Sequence, residues 1–148
     1  MSMTKEISSR LSITFFIHMI VSGILGAALW LIPGRTLSLL GWVEEMVLLP
    51  ESELSVPGYT FVDPLITRLM GAALLALAFS SFQGWRSKSW SQVRLVVELE
   101  TAFTFFGVVA FIAVLALGGR NIPPAFWALF GMMAAFMIAW GIALLRRE

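Results

Sequence analysis

Four ionisable side chains, His18, Arg68, Glu98 and Glu100, fall within apolar runs that are long enough to cross a bilayer. A charge at mid-bilayer costs at least roughly 2.5 to 3.5 kcal/mol on insertion scales, so each needs a partner, a route to the interface or a function. His18 lies about seven residues into its run, roughly 10 Å deep at a helical rise. Glu100 lies about five residues into another run, counted from the same side. The two share a depth, and an imidazole beside a carboxylate is a pair able to hold or pass a proton.

Helical geometry separates the two glutamates. About 200° of rotation lies between Glu98 and Glu100, so they cannot share a face. Arg94 stands four residues before Glu98, which suits an ion pair near the interface with the arginine snorkelling outward. Glu100 aligns instead with Thr104 and Gly107, and His18 with Ser22 and Gly26; such small and polar stripes suit a helix–helix interior. Ser80 or Gln83 of the second run is placed to join them. His18, Ser22, Glu100, Thr104 and Gln83 are therefore the candidate ligand-binding or proton-linked set. A satisfied interhelical hydrogen bond that only fixes packing is the competing reading, and both stand open at this stage. Arg68 sits one turn into the second run from the opposite side. Paired with Asp63 or another loop acid it is an outer anchor, and otherwise an anion-binding group.

Other chemistry is excluded or unsupported. The chain has no cysteine, which removes disulfides, thiolate metal sites, thiol redox chemistry and palmitoylation. There is no Gly-rich phosphate loop and no Ser/His/Asp order, and one histidine cannot build a two-histidine metal or haem site within one chain. Axial ligation of a haem or chlorin by His18, notably across a dimer, is the cofactor arrangement left to it. No catalytic residue, metal site or cofactor is assigned, and the balance leans away from an enzyme.

The elements that must position these residues are the runs Leu11 to Ile32, Leu65 to Phe82, Leu95 to Leu117 and Phe126 to Leu145. Each reaches or approaches the roughly 20 residues a spanning helix needs. At 59% hydrophobic and 13% charged, the composition departs from that of soluble domains. The runs are apolar all round, whereas a soluble bundle needs polar faces. The expected fold is an all-α integral membrane protein: a single antiparallel four-helix transmembrane bundle with spans at about 11–32, 64–85, 92–117 and 124–145. The first run is too long for a signal peptide's apolar core and reads as a retained helix.

Seven Lys/Arg lie on one side of these spans, at Lys5, Arg10, Arg86, Lys88, Arg94, Arg146 and Arg147, against Arg35 and Arg120 on the other. This bias orients both termini in the cytoplasm of a cell-membrane protein. The outer loop, residues 33–63, carries Glu44, Glu45, Glu51, Glu53 and Asp63. Pro33 and Gly34 end the first span, and Leu37, Leu40, Val43 and Val47 beside Trp42 suggest a short interfacial helix. Asp63 with Pro64 starts the second span, Ser91 caps the third, and Asn121 opens the fourth. Short connections make spans two, three and four antiparallel neighbours. Small-residue ladders (Ser22 and Gly26; Ala72 and Ala76; Gly131, Ala135 and Ala139) mark faces for close packing, within the chain or between copies. There is no internal repeat of the transporter kind.

The stretch from Asp63 to Ala73 (DPLITRLMGAA), ending a span later in Trp85 and Arg86, resembles a pattern common in small four-span prokaryotic membrane proteins loosely related to DoxX-like families. The length and the long first outer loop fit that group. Some of its members are associated with quinone-linked or thiol-linked redox systems, and without cysteine only a quinone link carries over as an expectation.

The sequence thus points to a multi-pass membrane protein that is an accessory subunit or a binder of a lipid-like or quinone-like hydrophobic small molecule. The alternatives are a small proton-coupled transporter using Glu100 and His18, or a cofactor-dependent membrane redox component. Expected partners are membrane lipids, a hydrophobic small molecule, and a second copy or a larger membrane complex. With a net charge of +1 and dispersed basic residues, nucleic acid is not among them.

Overall fold

Serine and proline set where the helices begin. The Ser8 hydroxyl accepts the Leu11 N–H at 3.2 Å and caps α1 (Ser9–Leu31), satisfying a donor that the first turn leaves unpaired. Proline occupies the first position of α2 (Pro33–Leu39), α3 (Pro64–Arg86) and α5 (Pro124–Arg146), where a missing N–H costs nothing. The fourth helix, α4 (Trp90–Ala116), starts after Ser89, two residues before the expected cap at Ser91. Ser91 instead meets the Ser89 hydroxyl at 3.2 Å. The computed structural model describes residues 6–42, 64–117 and 122–146. Asp63, Asn121 and the loop acids, on which other expectations rest, lie outside them.

All the described elements longer than isolated bridges are helical, and four are long and apolar enough to cross a membrane. The fold is the expected four-helix bundle, with span boundaries within two residues of those read from the sequence. The chain visits the bundle's corners in the cyclic order α1, α3, α4, α5. The first and third helices make the tightest pair, α4 and α5 the next, while α1 and α5 touch sparingly. One end of the bundle gathers the start of α1 and α4 with the finish of α3 and α5. It carries Arg10, Arg86, Lys88, Arg94 and Arg146, and is called the basic end below. There Ile7 donates its N–H to the Lys88 carbonyl at 3.2 Å, tying the segment before α1 to the α3–α4 connection.

A close backbone crossing holds α1 to α3 near the other end. A Cβ built on Gly71 would stand 2.7 Å from the Trp30 nitrogen and 2.8 Å from the Gly26 oxygen, both main-chain atoms. One built on Gly26 would stand 2.9 Å from the Gly71 oxygen. Only glycine at both positions permits this approach, the usual device where lipid gives helices no hydrophobic drive to associate. The expected ladders fare differently. Ser22 and Gly26 are buried as read, but Ala72, Ala76, Gly131 and Ala135 face outward, and a Cβ on Gly131 meets nothing within 4 Å.

The short helix forms earlier than its apolar spacing suggested. Proline and glycine at 33 and 34 do end the first span, yet Pro33 also opens α2, because its fixed φ suits a first helical turn as well as it obstructs a helix interior. The Thr36 hydroxyl reaches back to the Ala28 and Ile32 carbonyls, both at 2.9 Å, and staples α2 to α1. Gly41, at φ 74°, then closes the helix: its N–H goes to the Ser38 carbonyl and that of Trp42 to Leu37, each at 2.9 Å. Leu37 lies within α2, Leu40 caps it, and Val43 and Val47 lie outside the described residues.

Large apolar side chains face outward along all four long helices, including Ile24 at 68%, Phe106 at 68% and Leu95 at 77% exposure. In water so continuous an apolar surface would drive aggregation; in lipid it is the solvated face.

Candidate functional site

The interior faces follow one rule. In α1 the buried positions are Leu11, Phe15, His18, Ser22, Gly26 and Leu29, and in α4 they are Val93, Val97, Glu100, Thr104 and Val108. Both sets step by three and four residues, so His18 and Glu100 are carried on the one face that each helix turns inward. They meet across the diagonal of the bundle. His18 Nε2 stands 3.6 Å from Glu100 Oε2, with His18 at 4% exposure and Glu100 at 0%.

Serines of α1 and α3 complete the contact. The Ser81 hydroxyl lies 2.8 Å from His18 Nδ1 and 3.2 Å from Glu100 Oε1. The Ser22 hydroxyl lies 3.1 Å from His18 Nε2. Ser80 donates to Glu100 Oε1 at 3.1 Å and is also 2.8 Å from the Leu77 carbonyl. On the fourth side α5 supplies aromatic walls, the rings of Phe136 and Trp140 standing edge-on to the imidazole at centroid distances of 4.7 and 5.7 Å. One layer therefore draws on α1, α3, α4 and α5. Toward the basic end an apolar cluster of Leu11, Phe15, Val93, Val97, Trp140 and Ala143 closes it.

Counting protons shows how this layer works. A hydroxyl has one proton, so Ser81 donates either to Glu100 or to His18 and accepts from the other or leaves it unmet. With the Ser81 proton directed at Glu100 Oε1, the chain runs Ser22 to His18 Nε2, His18 Nδ1–H to Ser81, and Ser81 to the carboxylate. Reversed, it requires a proton on the carboxyl group and one on Nε2. Among the described residues two buried side-chain atoms have no hydrogen-bond partner, Glu100 Oε2 and Trp140 Nε1, and both belong to this layer.

Of the residues singled out from the sequence, His18, Ser22 and Glu100 come together directly. Thr104 is buried beside them, but its hydroxyl is spent on the Glu100 main-chain carbonyl at 2.8 Å. Gln83 points outward, and its carbonyl accepts from Ser87. Two positions from Ser81 is about 200° of helix, which carries Gln83 to the opposite face. Sequence reasoning named Ser80 but missed Ser81, Phe136 and Trp140. The signal for Ser81 was available: Thr67, Gly71, Ala78, Ser81 and Gly84 are small or hydroxylated residues at helical intervals, and all are buried. The Arg94–Glu98 pair forms as read, at 2.7 Å on the outside of the bundle. Arg68 is exposed, and the acids expected to meet it lie outside the described residues. Both imidazole nitrogens are within hydrogen-bond distance of a serine, so axial ligation of a haem by His18 would first have to displace one. Among the described residues no three His, Asp or Glu side chains come together.

Fold and residues together define an all-α bundle of four membrane-type helices organised around one buried polar layer. No known protein family, curated protein or solved structure matches the chain.

Proposed function

We propose that this is a small multi-pass membrane protein of the binding or accessory kind, with both termini cytoplasmic, whose polar layer is a joint between spans and whose ligand sits elsewhere. The observation behind this reading is closure. His18, Ser22, Ser81, Glu100 and Thr104 are each 4% exposed or less, sealed by aromatic and aliphatic side chains, so the layer is filled by the protein itself. The fold leaves room instead at the sparing contact of α1 with α5, where a groove of about 220 Å³ lies between Leu11 and Thr14 on one helix and Ala139, Ile142 and Ala143 on the other. Its largely apolar walls on two membrane-type helices suit a lipid-like or quinone-like amphiphile.

Native mass spectrometry of the protein released from nanodiscs tests this. A retained amphiphile is expected, lost when Ala139→Phe or Ile142→Trp fills the groove and kept in Glu100→Gln. Loss in Glu100→Gln with retention in both groove variants would move the site into the polar layer.

A second reading is favoured by the unmatched Glu100 Oε2 and the two directions open to the Ser81 hydroxyl. In it the layer takes up and releases a proton, as a proton-coupled transporter requires. Proton release or uptake on unfolding that vanishes with Glu100→Gln would favour it over a fixed joint.

A further inference from the structure

We propose that the contact of His18 with Glu100 is a proton latch: the bundle closes with one proton between Glu100 Oε2 and His18 Nε2, and release of that proton parts α1 and α3 from α4 and α5. This rests on the proton-uptake reading above and adds what the proton controls.

The four long helices form two tight pairs. In the first, Gly26 and Gly71 bring the main chains of α1 and α3 together, and Phe15 lies so close over Gly84 that a Cβ there would overlap its ring. In the second, a Cβ on Gly107 of α4 would stand 3.1 Å from Met133 of α5, and Phe111 meets the rings of Phe126 and Phe130 at 4.8 and 5.8 Å. Contacts from one pair to the other are sparse by comparison. The chain itself passes from the first pair to the second at residues 87–89, between α3 and α4, at the basic end. The apolar cluster of Leu11 and Phe15 with Val93, Val97 and Trp140 lies at that same end, so connection and cluster together make the pivot. Further along, inside the polar layer, the contacts that cross between the pairs come from Ser80, Ser81 and His18, and all three end on the Glu100 carboxyl group. One ionisable group is thus the layer's polar tie between two hinged halves.

Counting charges fixes the direction of the latch. Oε1 is served by Ser80 and Ser81, whereas Oε2 has no hydrogen-bond donor and stands 3.6 Å from Nε2. A single proton between them satisfies both atoms, either on oxygen, as an acid facing a neutral ring, or on nitrogen, as an imidazolium facing a carboxylate. In both forms the layer carries no net charge. Once the proton leaves, an unpaired carboxylate is sealed among apolar walls, where a lone ion is costly. Parting the helices admits water to the carboxylate, so the open form holds one proton fewer, and that proton passes to the entering water. Among the described residues His18 is the titratable group that faces this carboxyl. The first helix adds Ser22, α3 presents Ser80 and Ser81, α5 presents Phe136 and Trp140 to the imidazole, and Glu98 with Arg94 lies on the outside of α4.

The test uses the full chain, in which the lack of native cysteine allows paired spin labels. Leu31→Cys with Ile112→Cys reports on α1 and α4, and Leu31→Cys with Leu69→Cys reports on α1 and α3 as the control within one pair; all three positions are exposed. Distances are read by double electron–electron resonance in phosphatidylcholine nanodiscs from about pH 4 to about pH 10, a range that brackets carboxyl and imidazole titration. A longer α1–α4 distance should appear as pH rises. Its ratio to the short one should grow about tenfold per pH unit through the transition, as one linked proton requires. The α1–α3 distance should stay fixed. Glu100→Gln, whose amide has an N–H for Nε2 but no proton to release, should keep the short distance throughout, and Glu98→Gln should respond as the unmodified protein does. An α1–α4 distance indifferent to pH, a response that survives in Glu100→Gln, or an α1–α3 distance that lengthens in step would overturn the latch. Should Glu100→Gln not assemble, His18→Gln removes the nitrogen partner and must move the midpoint of the opening; an unmoved midpoint defeats the assignment. Acid–base titration of the folded protein separates the latch from the reading beneath it. A proton that titrates in the unmodified protein and not in Glu100→Gln, with both distances fixed, defeats the latch while proton uptake stands. No such proton and no change in distance defeats the two together.

Discussion

Two adjacent serines on α3 should respond very differently to loss of their hydroxyls. Ser81→Ala removes the partner of His18 Nδ1 at 2.8 Å and strands a ring nitrogen in a residue only 4% exposed. Glu100 Oε1 keeps Ser80 at 3.1 Å. A buried polar group left without a partner costs about 1 to 3 kcal/mol. Interhelical hydrogen bonds measured inside membranes average near 0.6 kcal/mol and reach roughly 1.7, because the unfolded helices also find partners. Between these limits Ser81→Ala should cost about 1 to 2 kcal/mol. Ser80→Ala leaves Glu100 Oε1 with Ser81 at 3.2 Å and strands nothing, so it should cost at most about 0.6 kcal/mol. Denaturant unfolding in a fixed mixed-micelle detergent supplies both values, and a double-mutant cycle of Ser81→Ala with Glu100→Gln isolates their coupling. A larger loss at Ser80 than at Ser81, or a coupling of zero, would show that the hydroxyl does not bridge the imidazole and carboxylate.

Gly71→Val should separate α1 from α3 and lower stability by more than about 3 kcal/mol, since the new side chain meets main-chain atoms that cannot move aside; Gly131→Val, with open space around it, should stay within about 0.5 kcal/mol. Comparable losses for the two glycines in thermal unfolding would argue against the crossing. Glu98→Gln should change stability by less than about 1 kcal/mol, because the Arg94–Glu98 pair is screened by its surroundings at 67% and 42% side-chain exposure. Glu100→Leu should cost clearly more, as it leaves the serines and His18 facing an apolar group; the reverse order would mean that α4 is rotated. Cysteine at Ser89 should be shielded from an impermeant thiol reagent in intact cells and cysteine at Ser52 labelled, given seven basic residues on one side against two on the other. Equal labelling rates would refute cytoplasmic termini.

The bundle was legible because hydrocarbon imposes its own arithmetic: four stretches near 20 apolar residues leave little else for this chain to be. Which face of each helix turns inward was a harder matter. With apolar residues on every side, hydrophobic periodicity carries no rotation, so the signal passes to the exceptions. His18 and Glu100, with the small residues at three and four intervals from them, identified the inner faces of α1 and α4 because a polar side chain has nowhere else to go. On α3 the same logic is at hand in Thr67, Gly71, Ala78 and Ser81, yet the spacing of Ala72 and Ala76 suggests a close-packing face equally well. Alanine is as much at home in lipid as between helices, so spacing alone could not separate the two. Trp140 escaped for a related cause. A tryptophan near the end of a span suggests headgroup depth, and nothing in the sequence says that this one is fully buried against Phe15 and the imidazole.

The placement of the two interhelical devices explains why the groove opens where it does. Main-chain contact of Gly26 with Gly71 draws α1 and α3 together toward one end, and Ser81 fastens the same pair to His18 and Glu100 toward the other. Helix α3 is thus committed to α1 along its length, while α4 reaches α1 through a single carboxylate on the diagonal. The fifth helix has no polar tie of its own into the layer: Phe136 and Trp140 lie edge-on to His18, and the Trp140 Nε1–H is unmatched. Its position against α1 rests on ring contacts in the layer and in the apolar cluster below it. Toward the basic end Ile7 and Leu144 still pack against that cluster, and Arg10 and Arg146 flank the groove beside it. A bundle tied on three corners and only packed on the fourth opens first along the packed seam, so an amphiphile seated between α1 and α5 would stabilise the least constrained helix. Removing the ring contacts with Trp140→Leu should therefore loosen α5 alone, visible as faster hydrogen exchange in Pro124–Arg146 with α1 and α3 unchanged. Uniform acceleration in all four helices would mean that the bundle opens as one unit and that the seam has no special weakness.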